Sequence, residues 1–217
     1  MVTVYVGMCA DYIHHGHINI IQNAKKHGKV IVGLLTDEAI ANYKRIPMLT
    51  FEHRKIIMEN IKGVTQVVPQ TSLDYTENLV KYKPEFVVHA DDWRIGSQAE
   101  TRLKVIETLK LWGGLLIEVP YTKGISSTAL IKDKKTVGVS SEYRRAMLRR
   151  TLELKGFVRV CEAHNGLSAS IVENSSFNGK EFDAIWSSSF TSSASKAKPD
   201  IELVDFTSRL QFLHEVL

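Results

Sequence analysis

Two histidines carry the sharpest chemical signal in this 217-residue chain. His14 and His17 stand three residues apart in His14-His15-Gly16-His17, between an apolar run at residues 2–7 and a helical stripe set by Ile18, Ile21, Ala24 and Lys25. That spacing puts both imidazoles on one side of a first helical turn. Gly16 removes a side chain where a phosphate must approach the backbone. A helix N-terminus adds unsatisfied N–H groups and about half a positive charge. The combination suits a triphosphate whose α-phosphorus is under attack, with imidazole donors stabilising the developing charge and the departing pyrophosphate. Zinc ligation fits poorly, because an i, i+3 pair with Gly inside is not a usual helix pair and neither Cys9 nor Cys161 has a CxxC partner. Plain surface histidines are the alternative that every short motif carries, and the strand–turn–helix setting argues against it.

Two further clusters fall after later apolar runs. Gly124-Ile125-Ser126-Ser127-Thr128 follows the run ending at Val119-Pro120. A Gly turn into a hydroxyl-rich helix start can cradle β- and γ-phosphates, although the same residues would also make an ordinary capped helix. His89-Ala90-Asp91-Asp92-Trp93 ends another run. An acidic group beside a large aromatic can read a nucleobase, the alternative being a loop with a half-buried Trp. The loop pair Lys44 and Arg45, together with Arg54, supplies candidate phosphate clamps. The chain contains neither GxxxxGK[ST] nor GxGxxG, which removes P-loop kinases and NAD enzymes, and no KMSKS-like sequence, which counts against an aminoacyl-tRNA synthetase.

The elements that must position these residues are legible in the texture. Short β-branched runs at residues 2–7, 29–35, 64–68, 85–89 and 115–119 alternate with helix-patterned segments. Gly28 stops the first helix, and Thr50 caps a helix through Glu52-His53-Arg54-Lys55 whose Ile56, Ile57 and Ile61 should face inward. Strands apolar on both faces and separated by helices predict an α/β fold, a doubly wound parallel sheet that binds ligands at the strands' carboxyl ends. The texture changes near residue 132. Eight basic residues lie between Lys132 and Lys155 (Lys132, Lys134, Lys135, Arg144, Arg145, Arg149, Arg150, Lys155), which reads as a solvated connector helix through Leu154, with a polyanion-binding surface as the alternative. Beyond it, strands at 157–161 and 182–186 and helices at 164–173 and 201–216 are expected, with the Ser-dense stretch 187–195 as a loop.

Composition bounds the rest. With 44% hydrophobic and 24% charged residues the chain reads as an ordinary globular protein. Its apolar runs fall far short of the roughly 20 residues a membrane helix needs. No signal sequence is evident and two cysteines cannot build a disulfide framework, so a cytoplasmic setting is expected, without a membrane. A net charge of +4 suits an anionic small molecule and is too weak to argue for nucleic acid.

The motifs in order resemble a known family. Residues 1–132 resemble the HxGH cytidylyltransferases, close in pattern to glycerol-3-phosphate cytidylyltransferase: Cys9-Ala10-Asp11 before His14-His15-Gly16-His17, then Glu52-His53-Arg54-Lys55, Asp91-Asp92-Trp93, and Gly124-Ile125-Ser126-Ser127-Thr128. The resemblance implies a Rossmann-like nucleotidylyltransferase fold, a homodimer, and transfer of CMP from Mg²⁺-bound CTP to a phosphate or phosphonate oxygen with release of pyrophosphate. His14, His17 and Lys44 would be catalytic. Gly7, Met8, Cys9, Ala10, Asp11, Gly16, Asp91, Asp92, Trp93, Ile125, Ser126, Ser127 and Thr128 would hold the nucleotide. Arg45, Arg54, Lys62, Tyr121 and Lys123 would face the acceptor phosphate. Tyr121 and Lys62 stand where the glycerol-phosphate enzymes carry Arg, and Gly7-Met8 replaces their usual first-loop Gly.

Residues 156–217 resemble the start of phosphoenolpyruvate mutase through Glu162-Ala163-His164-Asn165-Gly166-Leu167-Ser168-Ala169, Ile185-Trp186-Ser187-Ser188-Ser189 and Lys198-Pro199-Asp200. That resemblance implies an incomplete first part of a (β/α)₈ barrel without mutase activity, in which Trp186 and Ser188 would line the pocket and Asp200 would stand on the gating loop. Residues 133–155 then read as a basic helical linker. A cytidylyltransferase followed by a mutase resembles the bifunctional enzymes of phosphonate biosynthesis, which makes 2-aminoethyl- or 2-hydroxyethylphosphonate the leading acceptors. A phosphate monoester such as glycerol 3-phosphate, adenylyl transfer, and a non-catalytic nucleotide-binding module are the alternatives.

Overall fold

Strand and helix textures alternate as the sequence predicts, and the computed structural model describes them over residues 1–43, 46–95, 98–122, 141–178, 180–201 and 203–216. In chain order the elements are β1 (Thr3–Met8), α1 (His15–Lys25), β2 (Lys29–Leu35), α2 (Asp37–Ala41), α3 (Phe51–Glu59), β3 (Val64–Gln70), α4 (Thr76–Tyr82), β4 (Phe86–Ala90), a 3₁₀ turn (Asp91–Arg94), α5 (Ala99–Lys110) and β5 (Leu115–Val119). The five strands form one parallel sheet in the order β3-β2-β1-β4-β5, a Rossmann-like nucleotidyltransferase fold. The chain winds outward from β1 in one direction, then returns to place β4 on β1's other side. At that reversal the connections part and leave a crevice above the carboxyl ends of β1 and β4.

Period-two alternation decides which helix covers which face. Val4, Val6 and Met8 of β1 and Val30, Val32 and Leu34 of β2 pack with Ile21 and Ala24 of α1 and Met58 of α3. Tyr5 and Ile31 point the other way, to Leu79 of α4 and Val105 and Leu109 of α5. On this second face Gly33 and Gly7 make room for phenols. A Cβ at Gly33 would overlap the Tyr5 hydroxyl, and one at Gly7 the Tyr75 hydroxyl. The buried Tyr5 hydroxyl donates to Gln70 Oε1 (2.6 Å) and accepts from Asn78 Nδ2 (2.8 Å), tying β1 to the end of β3 and to α4.

Thr50 caps α3, its hydroxyl accepting from the His53 amide. The inward face of α3 differs from the expected one: Ile61, just past its end, packs against the core, but Ile56 is 57% and Ile57 41% exposed, and the helix residues that turn inward are Met58 and the fully buried Arg54. Arg54 is therefore not a phosphate clamp. Its guanidinium donates to the carbonyls of Leu49 (3.2 Å) and Cys9 (2.6 Å) and to Asp37 Oδ1 (2.7 Å), pinning the loops after β1 and β2 to the start of α3. Lys62 is exposed in the turn ahead of β3, at the amino-end edge of the sheet, away from the crevice at the carboxyl ends of the strands.

Residues Ser140–Leu217 form a second compact unit, distinct from Met1–Val139. It carries helices Ser141–Lys155, Gly166–Asn174, Ser189–Ala194 and Phe206–Val216, a parallel pair Val160–Glu162 with Ala184–Trp186, and an antiparallel ribbon Ser176–Phe177 with Lys180–Glu181. The Ser-dense stretch expected as a loop is thus largely helical: Ser188 caps Ser189–Ala194, its hydroxyl accepting from the Thr191 amide. The two strands are shorter than the sequence predicts, and Asp183 between them is held by Lys155 Nζ (2.6 Å) and the Arg159 amide (2.9 Å). Trp186 is 63% exposed and Asp200 accepts from Ser189 Oγ.

The placement of Arg54 is testable by stability. Arg54→Ala leaves two carbonyls and a carboxylate without their shared donor and should cost about 3–5 kcal/mol in urea denaturation. A clamp on an exposed phosphate would instead lose substrate affinity at unchanged stability.

Candidate functional site

The His14 backbone is extended (φ −137°, ψ 172°), as an N-cap must be, and α1 begins at the next residue. Its Nδ1 accepts from the Gly16 amide (3.2 Å), while His17 Nδ1 accepts from the His14 amide (3.3 Å). Two imidazoles thus do the work usually given to Ser and Glu in a reciprocal cap. Because a backbone amide only donates, each Nδ1 must be unprotonated, so the ring proton sits on Nε2. The rings lie 4.1 Å apart between centroids and both line a cleft of about 430 Å³ at the switch point. Gly16 also lines it, but the space its missing Cβ leaves is taken by the His14 ring, which that Cβ would approach to 2.9 Å.

The opposite wall follows β4. His89 Nδ1 donates to the Ala90 carbonyl (2.8 Å), which leaves Nε2 as a lone-pair acceptor on a residue that lines the cleft. Its ring stacks on Trp93 at 3.8 Å between centroids and 12° between planes. Burial is the main reason that His89 titrates below the usual histidine range. Trp93, expected to stack on a base, is instead 2% exposed, its indole N–H donating to Glu118 Oε1 (3.0 Å). It braces the turn from within the core. Arg94 and Arg102 converge on the same carboxylate, whose pKa is held down to about 2, chiefly by the Arg102 hydrogen bond. Asp91 accepts from the Tyr121 amide (2.9 Å), joining the ends of β4 and β5, and Asp92 is half-exposed on the cleft.

Gly7, Met8 and Cys9 form the floor. Ala10, at φ +52°, and Asp11 are buried behind it, with Asp11 Oδ1 accepting from the Leu49 amide (3.0 Å). These two shape the first loop from beneath and are not among the residues lining the cleft. Tyr121 and Thr122 complete the rim after β5. Thr122 Oγ1 accepts from Asn19 Nδ2 (3.3 Å), and its Cβ would lie 3.5 Å from a Cβ at Gly16, so Thr122 abuts the start of α1. Lys44, Arg45, Lys123, Ile125, Ser126, Ser127 and Thr128 lie outside the described residues. The sequence reading missed His89 as a cleft residue in its own right. The strand-end motif that contains it was the available signal.

The Cytidylyltransferase-like family matches residues 5–141, and the chain belongs to it. The Phosphoenolpyruvate phosphomutase family matches residues 148–217. Ethanolamine-phosphate cytidylyltransferase of Mus musculus is 32% identical over 154 residues, 66% of this chain and 37% of that protein. Glycerol-3-phosphate cytidylyltransferase of Bacillus spizizenii is 31% identical over 125 residues, 57% of this chain and 89% of that protein. The chain therefore spans about a third of the ethanolamine-phosphate relatives' length. Among solved structures, a lipopolysaccharide core biosynthesis protein of Thermoplasma volcanium superposes with a TM-score of 0.48 at 19% identity, over 58% of this chain and 99% of that one.

The cap makes the site acid-sensitive in a defined direction. Burial, aided by the neighbouring His15, lowers the His14 pKa below 6.5, so the stabilisation from its unprotonated Nδ1 is complete above that pH and is lost as the pH falls through the lowered value. His14→Ala should lower stability by about 1 kcal/mol, whereas His14→Asn, which still caps, should hold it. Thermal melts at pH 7.5 and pH 5 should show the wild type losing more on acidification than His14→Asn.

Proposed function

We propose that residues 1–132 transfer CMP from CTP to a small phosphonate, 2-aminoethyl- or 2-hydroxyethylphosphonate, and release pyrophosphate. The observation that carries the reading is the imidazole-capped start of α1, opening on the cleft at the switch point with Thr122 against it. In this reading the two Nε2–H groups and the first α1 amides grip the triphosphate beside its α-phosphorus. An acceptor oxygen attacks that phosphorus in line, and the bond to the bridging oxygen of the β-phosphate breaks as pyrophosphate leaves. Catalysis then consists of positioning and charge stabilisation. Lys44 would neutralise charge as the bond breaks, Ser126, Ser127 and Thr128 would hold the outer phosphates, and Arg45, Tyr121 and Lys123 would face the acceptor. The Mg²⁺ is part of the substrate, chelated by the triphosphate oxygens. Among the described residues no group of three or more His, Cys, Asp or Glu side chains is placed to hold an ion. We further propose that the chain works as a homodimer in the cytoplasm. No helix among the described residues is long and apolar enough to cross a membrane.

The phosphonate is favoured by the match of residues 148–217 to phosphoenolpyruvate phosphomutase in the same chain. A phosphate monoester is the second reading, favoured by the names of the ethanolamine-phosphate and glycerol-3-phosphate relatives. Pyrophosphate release from each nucleoside triphosphate with both phosphonates, phosphoethanolamine and glycerol 3-phosphate separates them. CTP with a phosphonate should give the highest kcat/KM, and His14→Asn or His17→Ala should reduce turnover roughly 100-fold or more. Wild-type rates in both variants would overturn the assigned roles, faster turnover of a phosphate ester would favour the second reading, and CTP binding without product from any acceptor would leave a nucleotide-binding module.

A further inference from the structure

Tyr75 stands in the loop after β3, at the residue before α4, and makes no side-chain cap bond there. It is 6% exposed, its ring set edge-on to Tyr5 at 5.9 Å and tilted against Trp93 at 6.0 Å. A buried tyrosine ordinarily gives its hydroxyl a partner, as the neighbouring Tyr5 does twice over. The Tyr75 hydroxyl has none among the described residues, and it is not sealed from solvent, so it opens on the cleft. It lies against Gly7, where a Cβ would overlap it, and both residues line the cleft. Packing alone would be served by Phe, so the oxygen's position at the cleft floor needs another account. Burial and the neighbouring Tyr5 hold the phenol protonated far above neutral pH, so it acts as a hydrogen-bond partner and never as a base.

Its position in the sheet says which ligand it meets. His14 and His17, assigned to the nucleotide's phosphates, follow β1, and Asp92, assigned to the nucleotide, follows β4, with Thr122 after β5 against the start of α1, so these groups line the β1-β4-β5 half of the cleft, at whose rim Tyr121 reaches toward the acceptor. The other half, above β1 and β2, is lined by Leu35, Tyr43, Leu73 and Tyr75. We propose that Tyr75 is an acceptor-binding residue whose hydroxyl donates a hydrogen bond to an oxygen of the phosphonate or phosphate acceptor, within a wall that is otherwise aliphatic and aromatic. The proposal rests on the transferase reading.

Tyr75→Phe tests it. The acceptor KM should rise about 10-fold or more, while the CTP KM stays within about twofold and the melting temperature is unchanged. Gly7→Ala, which displaces the hydroxyl without removing it, should raise the same KM. Calorimetric titration of 2-hydroxyethylphosphonate onto each protein, saturated with α,β-methylene-CTP, reads binding without turnover. Wild-type acceptor KM and affinity in Tyr75→Phe would overturn the proposal while leaving the transferase reading intact. Tyr75-dependent binding in a chain that turns over no acceptor would sink the transferase reading and keep the site. A CTP KM that rises by the same factor as the acceptor KM would assign the hydroxyl to the nucleotide and overturn the proposal.

Discussion

A helix can offer its N-terminus to a polyphosphate only if enough of its first amides are satisfied in the empty state to let the helix start cleanly. Here His14 and His17 meet that demand with one nitrogen each, and the same bonds force the proton of each ring onto the other nitrogen. Ser or Asp would cap as well but would leave no ring donor on the cleft. The rest of the first loop serves this arrangement. Gly16 accommodates the His14 ring, and Cys9, Ala10 and Asp11 approach it through a backbone held from below.

That support is polar and buried, which is unusual enough in a parallel sheet to require its own explanation. The loop after β1, the start of α2 and the segment before α3 meet near the carboxyl edge of the sheet. Arg54 supplies donors to two of them and to Asp37 at once, a task for which the planar guanidinium is suited and an ammonium is not. A second buried network, Tyr5 with Gln70 and Asn78, does the same for the end of β3. Both lie just beneath the cleft. Neither faces the cleft, yet each fixes backbone that lines it.

Across the cleft, the indole that resembles a base-stacking platform is a brace. Trp93 has one face covered by His89, and its N–H is anchored on Glu118 together with two arginines. Its large apolar surface gains more from the core formed by Tyr75, Val105 and Leu109 than an exposed position would allow. The ring left at the cleft is the smaller imidazole of His89, with a single acceptor nitrogen. Aromatic content near a site thus divides into the ring that touches solvent and the ring that holds it in place.

How far the sequence carries depends on whether a feature is local. The strand–helix alternation, the Thr50 cap and the position of the histidine motif at a helix start are properties of a few neighbouring residues, and periodicity and capping chemistry express them directly. The inward face of α3 was misread because Ile56 and Ile57 are apolar and Arg54 is charged, and only the three acceptors brought from elsewhere make a buried guanidinium cheaper than buried isoleucines. The short helix at Ser189–Ala194 was hidden because serine favours loops and caps alike. Lys62 and Arg54 carried the right charge for a phosphate but stand in the wrong places, one at the far edge of the sheet and one within it. Residue type and spacing alone settled the fold class and the placing of the α1 start on the cleft, since these follow from local backbone chemistry. The burial of Trp93 and Arg54, and the Tyr75 hydroxyl that finds no partner among the described residues, were decided only when distant segments packed, because burial and hydrogen-bond satisfaction depend on neighbours that no local stretch of sequence contains.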